Sequence, residues 1–403
     1  MQALPESYSR NKNYLPNLDG LRFIGSLVII IFHIEDIKNQ QGRATIPTIR
    51  IYNVLGNYDV SLFFVLSGFL ITYLLLKEKK ESGSIDLKAY YVRRTLRIWP
   101  LYYLIIFLGF FVLPHFDPYF DNAKADLFYN NFWYSLIGCL LFLTPFVSRT
   151  GGLPETIGPI WTVGVEELFY VCWPLFLRKT KRYLLLMIGI VVFVLLLRNG
   201  LSFYNQYFDP DDTMWIAYKF MKRVLIQYRI SCMAIGGIGA YLVVLEKDKM
   251  LKFLYRKDIQ WIVYITTILL LKFRVGMKPF DAEDFPNVSY EMYSVLFAII
   301  IINLACNPHS IVKLKYKWMI YLGKIYYGLY LFHPIMRVFS LQLTEYLFSR
   351  QIAGLAMNIC MYSLTIGSTI LVSVVSFEFF EKRMMNLKNK FTAKKQKLKS
   401  IPT

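Results

Sequence analysis

The chain has 403 residues, of which 56% are hydrophobic, 17% aromatic and 18% charged. This composition excludes an ordinary soluble protein of the same size, because the hydrophobic residues form many separate blocks. The net charge of +19 does not indicate nucleic-acid binding, since Lys and Arg occur in short clusters between the blocks, as the positive-inside rule predicts. The sequence therefore predicts a multi-pass protein whose partner is the lipid bilayer.

Eleven apolar blocks predict an all-α membrane bundle. They cover residues 18–35, 60–76, 98–113, 132–147, 160–177, 183–198, 230–245, 259–272, 290–306, 319–338 and 353–380. Basic clusters mark cytoplasmic loops and place both termini in the cytoplasm. An even number of crossings is needed between Arg97 and Arg178, so one of the three blocks between them does not span. Pro145 favours 132–147 as the re-entrant or interfacial segment, with 160–177 as the alternative, and about ten transmembrane helices remain.

No repeat or linker divides the chain into separate domains. We expect a membrane domain at 18–381, between a cytoplasmic tail at 1–17 and a basic cytoplasmic tail at 382–403. Residues 214–229 fit an amphipathic surface helix, and the small residues from Gly236 to Ala240 predict a close helix contact. The five cysteines show no metal or redox spacing, so we expect no metal site. Without a cleavage site, the first block is expected to stay as a signal anchor.

The first apolar block carries ionisable residues along one helical face. At about 100° per residue, eleven steps bring His33 to within roughly 20° of Arg22 and about 16 Å further along the axis. Asp19 falls near the same stripe. Ionisable groups inside a bilayer tend to face a protein interior or a wet cavity and to mark function. A structural histidine with an interfacial arginine is the alternative interpretation.

Arginines cluster where the third block begins, in YYVRRTLRIWPLYY. Arg94 and Arg97 share a helix face at a spacing of three residues, and Arg93 lies beside them. The planar guanidinium suits phosphate oxygens. An ordinary positive-inside anchor would show the same pattern, so both interpretations stay open.

Two later blocks carry further polar groups. In GPIWTVGVEELFYVCWP, Glu166 and Glu167 are adjacent, so at helical spacing one of them faces a given cavity; Glu166 shares its face with Tyr170 and Trp173. A structural pairing of the glutamates with an arginine is the alternative. In YYGLYLFHPIMR, one stripe holds Tyr326, Tyr330, His333 and Arg337. The orientation places His33, His333 and Glu166 in the outer half, above a cytoplasmic arginine cluster, which suits transfer of a group from a phosphate-bearing donor to an outside acceptor.

Six motifs in order resemble the membrane-bound acyltransferase 3 family over nearly the whole chain. LDGLRFIGSLVIIIFH is similar to its Arg-x10-His motif, YDVSLFFVLSGFLIT to its second-helix signature and RRTLRIWPLYY to its Arg-x-x-Arg motif. WTVGVEELFY, YYGLYLFHP and FEFFEKRM are similar to its later landmarks. Thr162 stands where the family usually has Ser, and Arg383 stands where Pro is common.

The resemblance implies a bacterial cytoplasmic-membrane enzyme that moves an acyl group, by default acetyl, from acyl-coenzyme A to a carbohydrate hydroxyl. It implies catalytic roles for Arg22, His33 and Glu166, with His33 as general base or acyl carrier. It also implies donor binding by Arg94 and Arg97. We add Arg93 to the donor site and expect Asp19, Trp161, Tyr330 and His333 to bind substrate. No permanently bound cofactor is expected, nor an appended esterase-like domain.

A secondary transporter is the alternative from another class, because midplane polar residues are also expected there. The chain lacks the two-fold internal symmetry that such folds often show. A catalytically silent scaffold has no need of buried histidines and carboxylates. The acceptor remains open among lipopolysaccharide or capsular sugar, peptidoglycan, glycolipid and small hydroxylated metabolites, and the sequence does not predict an oligomeric state.

Overall fold

The structure is a computed structural model that describes residues 14–40, 49–116, 122–148, 153–207, 221, 228–273, 288–348 and 355–387. Within these ranges the regular structure is helical and contains no strand, which confirms the predicted all-α class. The predicted tails at 1–17 and 382–403 and the predicted surface helix at 214–229 lie largely outside the described residues. The domain boundaries stay predictions.

Fifteen α-helices follow one another in the part of the chain that the structure describes. Their bounds are α1 Pro16–Gln40, α2 Ile49–Ser82, α3 Leu87–Phe107, α4 Asn122–Asn130, α5 Phe132–Leu140, α6 Thr144–Val147, α7 Ile160–Lys179, α8 Tyr183–Tyr207, α9 Ile230–Val244, α10 Asp248–Leu254, α11 Lys257–Phe273, α12 Ser289–Cys306, α13 Lys317–Lys324, α14 Tyr326–Phe348 and α15 Leu355–Ser376. A π-turn at Leu108–Val112 extends α3, another at Phe377–Glu381 extends α15, and short 3-10 helices occupy Leu113–His115 and Glu155–Ile157.

Six helices within the described ranges are long and apolar enough to cross a membrane. They are Tyr58–Ser82, Leu87–His115, Ile160–Lys179, Tyr183–Tyr204, Ser289–Cys306 and Leu355–Leu387. A seventh span results if α9 and α10, which are bent by 113° relative to each other, count as one. The chain is therefore a multi-pass membrane protein, while the count of about ten spans and the side of each terminus stay predictions.

The segment predicted not to span is broken into two short helices. In place of one block at 132–147, α5 ends at Leu140 and α6 begins at Thr144, and Phe142 between them has a left-handed φ of 60°. A nine-residue helix such as α5 is about 14 Å long, which is less than half of a bilayer core. By contrast, α7 is long enough to cross, which favours 132–147 as the exception.

The predicted single block at 319–338 is wrong. The structure has two helices there, α13 and α14, with a break at Ile325, and α14 continues to Phe348. A Cβ on Gly323, near the end of α13, would clash with the backbone carbonyl of Asp19. An apolar average over the sequence did not register this break, because the residues on both sides of it are hydrophobic.

The chain divides into two compact units. The first consists of Met1–Phe32, Ile46–Ser84 and Phe176–Lys324. Its central helix, α9, packs against α2, α8 and α12. The α2–α9 contact is reciprocal, because a Cβ on Gly68 would meet the carbonyl of Met233 and a Cβ on Gly236 would meet the carbonyl of Val65. The close contact predicted from the glycines of α9 is thus confirmed.

A buried ion pair also lies in the first unit. Arg198 of α8 donates to Oε2 of Glu291 over 2.6 Å, and the hydroxyl of Ser231 donates to the other carboxylate oxygen over 2.7 Å. The side chains of Arg198 and Glu291 are 2% and 8% exposed. Three helices, α8, α9 and α12, are joined at this point.

The second unit consists of His33–Thr45, Ile85–Leu175 and Ile325–Thr403. Here α14 packs against α15, α3 and the 3-10 helix Glu155–Ile157. The start of α3 is fixed by Asp86, whose carboxylate accepts from the backbone N–H of Ala89 over 3.1 Å. Such a cap stabilises a helix by about 1 kcal/mol and sets where the arginines of the first turns of α3 lie. The boundary between the two units falls within α1, between Phe32 and His33. Arg22 therefore belongs to the first unit and His33 to the second.

Candidate active site

Two histidines from distant parts of the sequence meet in the second unit. His33 of α1 and His333 of α14 have ring centroids 5.2 Å apart, with the ring planes inclined by 30°. His33 is partly exposed, whereas His333 is fully buried. The sequence predicts that these residues converge, and the structure brings their rings together. Their depth and side in the membrane stay predictions.

The His333 ring is buried without a hydrogen bond. Neither Nδ1 nor Nε2 has a hydrogen-bond partner among the described residues. The backbone carbonyls of Leu329 and Tyr330, one turn earlier, lie close to the ring but do not form a hydrogen bond of good geometry with it. A buried polar group without a partner costs about 1–3 kcal/mol, so such an imidazole is unusual in a purely structural role.

Arg337 lies one turn after His333 and reaches α1. Its Nη1 donates to the backbone carbonyl of His33 over 3.1 Å, and the residue is 6% exposed. The charge of Arg337 also acts on Asp36, which follows His33 by one turn, as does the charge of Glu155. A buried guanidinium therefore lies against the stretch of α1 that contains His33.

A second contact joins α14 to the start of α7. The hydroxyls of Tyr330 and Thr162 are 2.8 Å apart, and both lie within hydrogen-bond distance of the Pro159 carbonyl, at 3.2 and 3.0 Å. The Tyr330 ring is also 5.8 Å from that of His333. Thr162 thus places a hydroxyl at the contact between α7 and α14. Trp161, the preceding residue, is partly exposed.

Glu166 is linked to an arginine through a tyrosine. Its Oε2 accepts from the hydroxyl of Tyr170 over 2.8 Å, and the guanidinium carbon of Arg94 lies 3.6 Å from the centroid of the Tyr170 ring. This is close cation–π geometry. Nε of Arg94 is buried and has no hydrogen-bond partner among the described residues. The predicted donor-binding arginine and the predicted catalytic glutamate therefore share one aromatic side chain.

Glu167 is the more buried of the two adjacent glutamates. It is 5% exposed, and its Oε2 accepts from the indole N–H of Trp99 over 3.2 Å. Its other oxygen, Oε1, is buried and has no hydrogen-bond partner in the described part of the chain. Sequence reasoning selected Glu166 and passed over Glu167, because helical spacing alone does not tell which face of α7 meets α3.

The remaining arginines of the predicted donor cluster differ in exposure. Arg93 is exposed, while Arg97 is partly exposed and has its guanidinium carbon 6.0 Å from the centroid of the Tyr326 ring. Arg93, Arg94 and Arg97 all lie within the first eleven residues of α3.

The other predicted site residues lie in the first unit. Asp19 accepts from Nη1 of Arg22 over 2.8 Å and from the hydroxyl of Tyr14 over 2.7 Å. The Arg22 side chain is 15% exposed. A Cβ on Gly20 would meet the carbonyl of Leu314, so this end of α1 is tightly packed. The carboxylate of Asp19 is thus engaged in holding Arg22.

The described residues contain no group of three or more His, Cys, Asp or Glu side chains that could hold a metal ion. The chemistry available in the second unit is instead that of a partly exposed imidazole, a buried imidazole beside it, carboxylates and arginines. These groups can move protons and hold phosphates.

Comparison with known proteins identifies the class. A family described as "Acyltransferase domain" matches residues 15–378. The peptidoglycan O-acetyltransferase OatA of Listeria monocytogenes is 24% identical over 401 residues, which cover 93% of this chain and 56% of the relative. The O-acetyltransferase OatA of Staphylococcus aureus is 28% identical over 400 residues, which cover 94% of this chain and 58% of the relative. No solved structure matches the chain.

The chain belongs to this acyltransferase family, because the family match covers most of its length. The predicted class of enzyme, an acyltransferase that moves groups other than amino-acyl groups, is confirmed, and the transporter alternative is set aside. The chain spans just over half the length of these curated relatives.

Proposed function

We propose that the protein transfers an acetyl group from acetyl-coenzyme A to a hydroxyl of a cell-wall carbohydrate, with peptidoglycan as the acceptor. The acyl group is taken from the names of both relatives, which are O-acetyltransferases, and the acceptor from the name of the Listeria monocytogenes relative, a peptidoglycan O-acetyltransferase. The observation that carries the chemistry is the His33–His333 pair, in which one imidazole is partly exposed and the other is buried behind it.

His33 is the general base in this proposal. A ring nitrogen of His33 takes the proton of the acceptor hydroxyl while the hydroxyl oxygen attacks the thioester carbonyl. The C–S bond then breaks, the acetyl ester forms, and the coenzyme A thiolate receives the proton that His33 holds. An alternative route passes the acetyl group through a ring nitrogen of His33 before the acceptor attacks.

The arginines of α3 are proposed to hold the donor. Coenzyme A carries several negative charges on its phosphates, and a guanidinium matches phosphate oxygens with two parallel hydrogen bonds. Arg94 already stacks on Tyr170, which donates to Glu166. Donor binding would thus be linked to the glutamate of α7. Arg22, held by Asp19, is proposed to contact a donor phosphate, since it lies about 16 Å along α1 from His33.

The proposed location is the cytoplasmic membrane of a bacterium, with both termini in the cytoplasm. The donor would then bind from the cytoplasmic side and the acceptor from outside. The relatives are bacterial, and the basic clusters between the apolar blocks support this orientation.

The test uses the full chain purified in detergent, with acetyl-coenzyme A and soluble peptidoglycan fragments. Release of free coenzyme A thiol and the mass of one added acetyl group on the fragments are both measured. We expect His33→Ala to lower turnover by about 10²- to 10⁴-fold, the usual range for a general base. His309→Ala is the matched control, because His309 is an exposed histidine of the other unit.

An acetyl group found on His33 after incubation with donor alone would select the acyl-carrier route. Thiol release and fragment acetylation that survive His33→Ala would reject the assignment of His33. A wild-type protein that leaves the thioester intact would reject the donor.

A further inference from the structure

We propose that Arg337 is a positioning residue that fixes the backbone of His33 so that its ring stays against His333. The inference rests on the proposed function, because it assigns His33 a part in acyl transfer. Its basis is the hydrogen bond from Arg337 Nη1 to the His33 carbonyl, 3.1 Å long, between α14 and α1.

Burial of the Arg337 guanidinium costs free energy, so its contact with α1 indicates a specific role. Arg337 is 6% exposed, and a buried guanidinium is costly unless its donors are used. The His33 carbonyl lies within α1, where the helix already provides a backbone donor for it. The hydrogen bond from Arg337 is a second one to this carbonyl, and it joins α1 to α14 next to the two imidazoles.

The arrangement on α14 explains how this residue can act on His33. Arg337 follows His333 by four residues, so the two side chains lie on one helical face. His333 contacts the His33 ring, and Arg337 contacts the His33 backbone one turn further on. Asp36, one turn after His33 on α1, also interacts electrostatically with Arg337 and Glu155. Two consecutive turns of α14 thus contact one turn of α1.

Without the hydrogen bond from Arg337, the His33 imidazole would keep its reactivity but would no longer be held in the position that the reaction requires. Misplacement of a reacting group by about 1 Å costs up to roughly 10²-fold in rate. The removal of Arg337 should therefore lower kcat by about 10- to 100-fold and leave KM for the donor nearly unchanged, because the arginine cluster proposed to hold the donor lies on α3 and Arg22, the other proposed donor contact, is held by Asp19. A purely structural role would instead lower the amount of folded protein without changing kcat per folded molecule.

The experiment compares three substitutions of Arg337. Arg337→Gln removes the charge and shortens the side chain, and Arg337→Met fills the space without a donor. Arg337→Met is the safeguard against misfolding, because it fills the space of the side chain and leaves no polar group at this position to be buried. Arg337→Lys restores a donor and should recover part of the loss in kcat. Ser340→Ala is the matched control, since Ser340 is buried on the next turn of α14.

Turnover with acetyl-coenzyme A and peptidoglycan fragments is measured per folded molecule, with His33→Ala alongside. The proposal holds if the Gln and Met variants lose at least tenfold in kcat, Lys recovers part of it, and Ser340→Ala is unchanged. It is overturned if whichever of the Gln and Met variants folds keeps kcat within twofold of wild type while His33→Ala is inactive. If His33→Ala is active, the catalytic assignment of His33 fails first, and Arg337 has nothing to position.

Discussion

Each unit of the molecule buries polar groups, but the two units treat them differently. In the first, both carboxylate oxygens of Glu291 accept hydrogen bonds, from Arg198 and from Ser231. In the second, the ring nitrogens of His333 have no hydrogen-bond partner among the described residues, although the ring is fully buried. The Glu291 carboxylate is closed, in the sense that both of its oxygens accept hydrogen bonds, whereas the His333 nitrogens lack partners in the described part of the chain and lie beside a partly exposed imidazole.

The difference separates stabilisation from function. A carboxylate that is closed in this way has its desolvation offset by its own partners, so it holds three helices together and its oxygens are already engaged. An imidazole without partners costs stability and is retained where its nitrogens are needed. We therefore expect the Glu291 cluster to govern folding and the His333 site to govern activity, and substitutions can break or sharpen that division.

The largest effect is expected for Glu291→Ala, which removes the partner of a buried arginine. Loss of one member of a buried ion pair destabilises a protein by about 3–5 kcal/mol, because the other charge is left uncompensated. Thermal unfolding of the purified protein in detergent measures the change. The double variant Arg198→Met with Glu291→Leu removes both charges and should recover most of the stability.

If Glu291→Ala unfolds at the wild-type temperature, the cluster does not hold α8, α9 and α12 together as its hydrogen bonds indicate. If Glu291→Ala is as stable as wild type but inactive, the Glu291 cluster serves activity and not folding, which contradicts the proposed division between the two units.

The second prediction concerns His333→Leu. The substitution removes two buried nitrogens that lack hydrogen-bond partners among the described residues and replaces the ring by an apolar side chain. We expect the unfolding temperature to stay the same or rise, since an unpaired polar group no longer has to be buried. Turnover should fall by about 10²-fold or more, the range for groups that take part in proton transfer.

His115→Leu provides the control, because His115 is an exposed histidine in the short 3-10 helix after α3. Undiminished turnover in His333→Leu would mean that His333 is a packing residue and takes no part in the reaction at His33.

Part of the fold and of the candidate site was predictable from the sequence, whereas the Glu291 cluster and the two units were not. The apolar blocks predicted α7, α11 and α12 to within two residues at each end, because their apolar runs are bounded by charged or polar residues. The orientation given by the basic clusters placed His33 and His333 in the same half of the membrane, and their rings do meet. The break at Ile325 was missed, because a close backbone approach at Gly323 leaves no trace in an apolar average.

Which partner a polar residue chooses was less predictable. Helical spacing gave Arg337 a place on the stripe with Tyr330 and His333, but nothing in the sequence says that it reaches the His33 carbonyl. The choice between Glu166 and Glu167 likewise depends on which face of α7 meets Trp99. Side-chain partners across helices come from the three-dimensional packing, and one sequence does not contain that information.

A smaller effect tests a closed polar contact inside the second unit. Thr162→Val removes the hydroxyl that lies 2.8 Å from the Tyr330 hydroxyl and 3.0 Å from the Pro159 carbonyl. We expect a loss of about 1 kcal/mol in stability, the net worth of one typical hydrogen bond. Thr162→Ser keeps the hydroxyl and should stay close to wild type. Chemical unfolding followed by tryptophan fluorescence measures both variants, and a loss for Ser but not for Val would mean that the methyl group, not the hydroxyl, is what matters.

The smallest effect is expected at an exposed ion pair, which is closed like the Glu291 cluster but surrounded by solvent. Nζ of Lys80 donates to Oε1 of Glu246 over 2.7 Å, and the two side chains are 48% and 71% exposed. This hydrogen bond and the nearby positive charge lower the pKa of Glu246 below its ordinary value of 4.5. The stabilisation is therefore fully present above that value and disappears as the pH falls through the lowered pKa.

The substitution Glu246→Gln tests this pair. It keeps the shape of the side chain and leaves the residue at its left-handed backbone φ of 50°, so the two proteins differ in charge alone. Unfolding temperatures of wild type and variant should show a slight gap at pH 7 that closes in acid and shrinks with added salt. A gap as large as that of Glu291→Ala would mean that pairing, and not burial, decides how much a closed ion pair contributes.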